Sequence, residues 1–284
     1  PETSLTPHSI YSVQDALFRE ICAEGDEPLS IHFMETPAEA ELFEQRGELW
    51  EWYRKAGFTC DFLHYGSPAR RIVESVPADR SVILIHNCCV NQQDIDLIMN
   101  HFTAPVWWCL CPGSNRYISR LVPPVELFRR NGLNICLGTD SLASNTALSL
   151  LGEMQHLGKI PLAELLTWAA PNGARALGFS ELGEVAAGKR PGLAVLSGLD
   201  YDSMTLTPAS CIARIQASIS VGKRSESDRE KERLPKKDNN DKGRNSSVPY
   251  RYCSRRLQRQ GLFDRIAQGI AFEMGVGFGG QDAL

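Results

Sequence analysis

The sequence predicts an α/β fold built on parallel strands. Three observations predict it. Short apolar runs alternate with amphipathic stretches at helical spacing along residues 1–177. The apolar runs are continuous rather than alternating, as in strands covered on both faces. Several of them stop at a polar residue capable of chemistry, which suits a barrel whose strand ends share one rim.

Taken in order, residues 4–11 read as a strand end or loop holding His8, and residues 13–23 as a helix with Ser12 as its N-cap. Residues 29–33 have the character of a buried strand, and the run Leu-Ser-Ile-His-Phe-Met-Glu-Thr delivers His32 and Glu35 where the pattern stops. Residues 38–56 have the spacing of one long helix, with Leu42, Leu49, Trp52 and Tyr53 near one face. Residues 81–85 form the next strand, ending in His86-Asn87; 92–101 are helical; 105–110 are a strand whose Trp107 and Trp108 belong to the core. Residues 111–115 read as a turn, 124–131 as a helix, and 133–137 as a strand leading into Gly138-Thr139-Asp140-Ser141. Helices follow at 149–157 and 161–170, then a break at Asn172-Gly173, a short helical return to 177, and a loop at 188–192 feeding a small strand at 193–196.

With 284 residues and 43% hydrophobic content the chain can bury a sizeable core, as one large domain or two small ones. No apolar run approaches bilayer length, and the start Pro1-Glu2-Thr3-Ser4 has no signal-peptide pattern. The missing Met suggests processing or a segment of a longer protein. Nine cysteines lie largely in apolar runs without a CxxC pair, as expected of reduced core thiols in a cytoplasmic protein. The net charge of −4 is unevenly spread: residues 1–217 hold 16 basic against 25 acidic side chains, and the remaining 67 hold 14 against 9. Residues 218–245 are charged and polar with almost no apolar side chains, so a disordered linker is expected there. Mixed signs without interleaved aromatics speak against nucleic-acid binding. In the tail, 246–284, residues 250–271 are spaced for an amphipathic helix with arginines between, either the start of a second domain or a misjoined end.

His8, His32 with Glu35, His86 and Asp140 therefore fall at the ends of successive strands, and a parallel barrel gathers such ends. Histidine and aspartate suit a zinc-like ion that keeps a position open for water, and Glu35 is then free to carry protons. The plainer alternative is a strand histidine satisfied by a neighbouring carbonyl and a glutamate opening the next helix. His64, His101 and His156 lack partners at ligand spacing; His156, late in a helix, sits where a cation is mildly favoured.

The motifs and their order resemble the amidohydrolase superfamily, in its branch of cytosine-, guanine- and S-adenosylhomocysteine-deaminase-like and chlorohydrolase-like enzymes. Thr6-Pro7-His8-Ser9-Ile10-Tyr11 resembles the branch's Pro-His-x-x-Tyr segment, whose histidine contacts substrate. Ile31-His32-Phe33-Met34-Glu35-Thr36 resembles its metal-histidine and acid/base-glutamate strand, and Leu84-Ile85-His86-Asn87 the next one. Cys111-Pro112-Gly113-Ser114-Asn115 is similar to its Cys-Pro-x-Ser-Asn turn, Leu137-Gly138-Thr139-Asp140-Ser141 to its Gly-Thr-Asp-Ser ending, and residues 172–178 and 183–196 to the exit toward a small β domain.

From about Leu5 to Ile215 the resemblance implies a partial metal-dependent (β/α)8 barrel, about strands 4 to 8, over residues 1–180, and a remnant of a small β domain over 181–217. It implies a metal-dependent hydrolase of carbon–nitrogen bonds other than peptide bonds, deaminating a nucleobase-like or related heterocyclic amine. One divalent metal ion is implied, zinc first and iron as the alternative, with His32 and Asp140 as ligands. Glu35, His86 and Asp140 would be catalytic, and His8 and Asn115 would touch a small-molecule substrate. The chain departs from the family in having no His-x-His pair among its six histidines; the expectation is that the first three strands lie upstream and that this segment is inactive without them. Pro191-Gly192, where the family has Ala-Asp, alters only a turn. The rival reading is a non-catalytic barrel remnant that packs or binds. No membrane or nucleic-acid partner is expected, and open strand edges make homo-oligomers an expected outcome.

Overall fold

In the computed structural model, residues 4–189 and 191–215 are described. Four strands, β1 (Leu29–Phe33), β2 (Val82–His86), β3 (Val106–Leu110) and β4 (Asn134–Leu137), form one sheet in the order β1-β2-β3-β4. Every pair is parallel, with Leu29 opposite Val82, Val82 opposite Val106 and Leu110 opposite Leu137. A parallel bridge between Ser9 and His32 places the His8 segment along the outer edge of β1. The described residues thus hold an open sheet of four strands plus that bridge rather than five strands or a closed barrel.

Alternation along the strands separates two faces. Leu29, Ile31, Phe33, Val82, Leu84, Trp108, Leu110, Ile135 and Leu137 join the main core against the helices. Ile83, Ile85, Trp107, Cys109 and Cys136 form a smaller inner cluster with Cys111 and Ala176. Burial of both faces explains the unbroken apolar runs. Trp107 and Trp108 lie on opposite faces, both buried, as expected.

The helical layer comprises α1 (Asp15–Ala23), α2 (Pro37–Phe43), α3 (Gly47–Ala56), α4 (Pro68–Ser75), α5 (Gln92–His101), α6 (Pro112–Ile118), α7 (Val125–Arg130), α8 (Leu150–His156), α9 (Leu162–Thr167) and α10 (Gly173–Ala176). A full capping box of Asn91 and Asp94 opens α5. Several sequence expectations are corrected. The long helix at 38–56 is two helices, because Gln45 (φ 57°) and Gly47 (φ 82°) turn the chain left-handed between them. Residues 111–115 start helix α6 instead of a turn, with Pro112 in its first turn, where a missing N–H costs nothing. Asn172-Gly173 is no break: a π-turn at Trp168–Asn172 carries α9 into α10. Ser12 does not cap α1, whose N-cap is Gln14; its hydroxyl bonds within the His8 segment to the Pro7 carbonyl. Helix α4, unanticipated, is capped by Ser67 accepting the Arg70 N–H.

The small strand expected at 193–196 is β5 (Leu193–Ser197), paired antiparallel with β6 (Cys211–Ile215). The described cysteines are free thiols, although Cys211 is exposed rather than in the core. His156 departs from expectation too: burial and Arg116 lower its pKa, outweighing the helix end. No helix among the described residues is long and apolar enough to cross a membrane. The expected linker at 218–245 and the tail at 246–284 lie outside the described residues.

Candidate active site

The carboxyl ends of the strands carry an unusual density of strained backbone. Eight described non-glycine residues have positive φ, and five of them, His8 (65°), Met34 (51°), His86 (79°), Asn87 (59°) and Asp140 (55°), sit where the edge segment, β1, β2 and β4 finish. Each such residue costs on the order of 1–3 kcal/mol, so their concentration marks a place where side-chain direction outweighs local comfort.

These turns bring the sequence-predicted residues together. The His8 and His32 rings lie 4.4 Å apart between centroids, and those of His32 and His86 5.2 Å apart. Glu35 Oε1 is 3.8 Å from His86 Nδ1. Asp140 interacts electrostatically with His32, Glu35 and His86. Asn115, completely buried on α6, reaches the same place, its amide donating to His86 Nδ1 at 2.9 Å. That donor puts the hydrogen of a neutral His86 ring on Nε2.

His32 is held at both backbone and ring: its N–H donates to the His8 carbonyl at 2.8 Å, and Nδ1 lies 2.7 Å from the same oxygen. With Nδ1–H donating there, Nε2 carries the lone pair, the arrangement of a ligating imidazole. Burial, with His86 and His8 alongside, pushes its pKa down to about 3, so the ring is neutral. Burial also raises the pKa of Glu35, with Asp140 adding to the effect and His86 opposing it. Burial works against ionisation of Asp140 as well, but the Ser114 and Ser144 hydroxyls, each donating to Oδ2 at 2.5 Å, His86, and the Ser141 N–H hold its carboxyl below the usual value. The site therefore sets a carboxyl that keeps its proton longer beside one that sheds it readily, the usual division between an acid/base group and a fixed anion.

A metal ion fits this donor set only in part. Among the described residues no group of three or more His, Cys, Asp or Glu side chains is placed to hold an ion. His32 and Asp140 offer two donors of the right chemistry, short of the three a catalytic zinc takes from protein.

Beside Asp140 opens a cavity of about 510 Å³, within the range of small-molecule sites, bounded by Ile83, Ile85, Cys109, Cys136, Leu148 and Ile212. His8, His32, Glu35 and His86 are not in its lining. Gly138 leads from β4 to this wall, and a methyl group there would lie 2.9 Å from Cys109 Sγ and 3.2 Å from Cys111 Sγ.

Sequence reasoning missed Ser144 and the buried pair Glu39 and Glu153, and assigned no role to Ser114. Their signal is faint: an acid four residues after Glu35, and a serine four residues after Asp140. His64 and His101 are satisfied by the Asp61 and Val76 carbonyls, away from the cluster.

Residues 2–226 match the sequence pattern of the Amidohydrolase family. The 5-methylthioadenosine/S-adenosylhomocysteine deaminase of Halalkalibacterium halodurans is 28% identical over 202 residues, 66% of this chain and 42% of the relative. The adenosine deaminase of Helicobacter pylori is 28% identical over 205 residues, 68% of this chain and 49% of the relative. Among solved structures, Helicobacter pylori aminofutalosine deaminase in complex with methylthio-coformycin superposes with a TM-score of 0.57 at 28% identity, over 68% of this chain and 49% of that one. An adenosine deaminase from Xanthomonas campestris with bound zinc gives 0.53 at 25%, over 68% and 43%. The chain spans less than half the length of each of these relatives. Family pattern, shared fold and the ordered histidine, glutamate and aspartate strand ends coincide over the same residues, and the chain belongs to the amidohydrolase family.

Proposed function

We propose that this chain carries the acid/base side of a hydrolytic deaminase acting on an amino-substituted heterocycle, with a purine nucleoside as the substrate class. The observation that carries this reading is the packing of three imidazoles in a row against Glu35 and Asp140 on one rim. The relatives' names, deaminases of adenosine-type compounds, point to the same substrate class.

In this mechanism a water oxygen adds to the ring carbon that bears the amino group. Glu35 takes one proton from the water and passes it to the ring nitrogen, then takes the second from the new hydroxyl and gives it to the departing amine, so that ammonia leaves and a carbonyl remains. A carboxyl raised by burial suits both halves of that transfer. His86, with Nδ1 fixed by Asn115, presents Nε2–H to the attacking oxygen, while Asp140 accepts from the same water. His8 orients the substrate, whereas Asn115, expected from the sequence to touch it, is completely buried against His86 and acts only through that ring. His32 and Asp140 would be two of the ligands of one divalent ion, zinc or alternatively iron. When bound, such an ion supplies the Lewis acidity that makes water nucleophilic near neutral pH.

The test is Glu35→Gln, assayed for ammonia release from adenosine-type nucleosides. Loss of turnover by a factor of roughly 10² or more with metal content unchanged supports the role; ordinary activity in the variant overturns it. The second reading, a non-catalytic barrel remnant, draws on the missing third donor among the described residues. Turnover with zinc or iron supplied in excess separates the two, because a remnant releases no ammonia however much metal is added.

A further inference from the structure

Two carboxylates lie beneath the site with no part in the chemistry above. Glu39, in the first turn of α2, and Glu153, on α8, are each only 1% exposed. Among the described residues neither has a cation against it; both are paired with N–H groups beside site residues. Glu39 Oε2 accepts the Met34 N–H at 2.8 Å, and its Oε1 accepts the Glu35 N–H at 2.6 Å. Glu153 Oε2 accepts the Gly113 N–H at 2.7 Å, and its Oε1 accepts from Asn145 Nδ2 at 2.6 Å. The same Asn145 amide donates to the Thr139 carbonyl at 2.7 Å.

Burying a carboxylate is costly unless donors are supplied, and an apolar residue would fill either place without that penalty. What the carboxylates supply is direction. Met34 is left-handed, and without Glu39 neither its N–H nor that of Glu35 has a partner in the turn that aims the Glu35 side chain. On the other side, Glu153 and Asn145 come so close to Gly113 that a methyl group there would lie 2.7 and 2.8 Å from them. They pin the first turn of α6 to the loop after β4, which brings Asn115 to His86 and Ser114 to Asp140.

We propose that Glu39 and Glu153 are positioning residues, one fixing the main chain that aims Glu35, the other fixing the start of α6 against the Asp140 loop. The kinetic consequence rests on the deaminase reading above; the geometric consequence does not.

The experiment uses the full 284-residue chain with Glu39→Gln and Glu153→Gln, and Glu35→Gln as reference. A glutamine keeps the volume but turns an NH2 group toward a backbone or amide N–H. Amide hydrogen exchange and ¹H–¹⁵N spectra are recorded for Met34, Glu35 and Gly113. Protection is expected to fall about ten- to a hundredfold at Met34 and Glu35 in Glu39→Gln, and at Gly113 in Glu153→Gln, while core amides such as those of Leu84 and Trp108 keep theirs. Where the protein turns over substrate, kcat should fall on the order of 10²-fold with KM nearly unchanged. Unaltered spectra and protection at those three amides, with only a lower melting temperature, would overturn the proposal. If Glu35→Gln is inactive and Glu39→Gln keeps full kcat, positioning fails and the deaminase reading stands. If Glu35→Gln is fully active, the deaminase reading fails and the amide data alone decide. Should a glutamine variant not fold, Glu39→Asp and Glu153→Asp, which keep the charge but shorten its reach, are read at the same amides by the same criteria.

Discussion

Arg71 offers the sharpest test of how the fold holds the His8 segment. Its side chain is fully buried, with the guanidinium 4.3 Å from the Phe18 ring and 4.2 Å from Phe62. It donates to the Ile10 carbonyl at 2.5 Å and the Val13 carbonyl at 3.2 Å, and Asp15 lies 3.8 Å away. Burial lowers its pKa to about 10, so the group is still charged at neutral pH. Two hydrogen bonds from a charged donor contribute roughly 1.5–3 kcal/mol each, and each ring stack roughly 0.5–2. Against these stands a desolvation cost of several kcal/mol. Arg71→Ala, which also strands two buried carbonyls, is expected to destabilise by about 3–5 kcal/mol. For a structure of this size that lowers the melting temperature by roughly 6–20 °C. Urea denaturation and calorimetry measure it directly, and hydrogen exchange at residues 8–13 should rise before global unfolding. Arg71→Lys, with one donor centre and no planar fork, should recover only part of the loss. A variant within about 1 kcal/mol of the parent, with residues 8–13 still protected, would refute the reasoning.

Three further outcomes are expected. Burial raises Glu39 and Glu153 from 4.5 to about 7, so between those values the folded chain binds more protons than the unfolded one. Stability should therefore fall as pH rises through that window, by up to about 3 kcal/mol per group, and each glutamine variant should flatten its share of a urea-midpoint profile. Ser67→Ala, which removes the cap of α4, should cost about 1 kcal/mol in the same assay. Because the described residues offer two ligands rather than three, the purified chain should hold well under one zinc after dialysis, by atomic absorption, and His32→Ala should lower whatever is retained.

The strands and the convergence of the site were legible in the sequence because both depend on local pattern: continuous apolar runs mark strands covered on two faces, and the residues that end those runs share a rim. Helix α4 was not, since Arg71 sits fully buried in the middle of it and interrupts the apolar spacing that would announce the helix. The break between α2 and α3 hides in Gln45, a residue with no special liking for left-handed backbone. Glu39 and Glu153 were invisible for a related reason: a buried acid reads as a surface acid until its N–H partners are known. His156 shows the opposite error, where a correct local rule about helix ends yields to burial and a nearby arginine.

The tight seat of Gly138 against two sulfur atoms bears on how this wall can change over generations. A methyl at that position has nowhere to go while Cys109 keeps its sulfur 2.9 Å from the spot, and the neighbour on the other side, Cys111, is tethered to a proline. Substitution is therefore ordered in time: the thiol has to shrink first, and only then does the glycine gain freedom to vary. Taken in reverse, the steps pass through a crowded intermediate, so the two positions are expected to change as a linked pair.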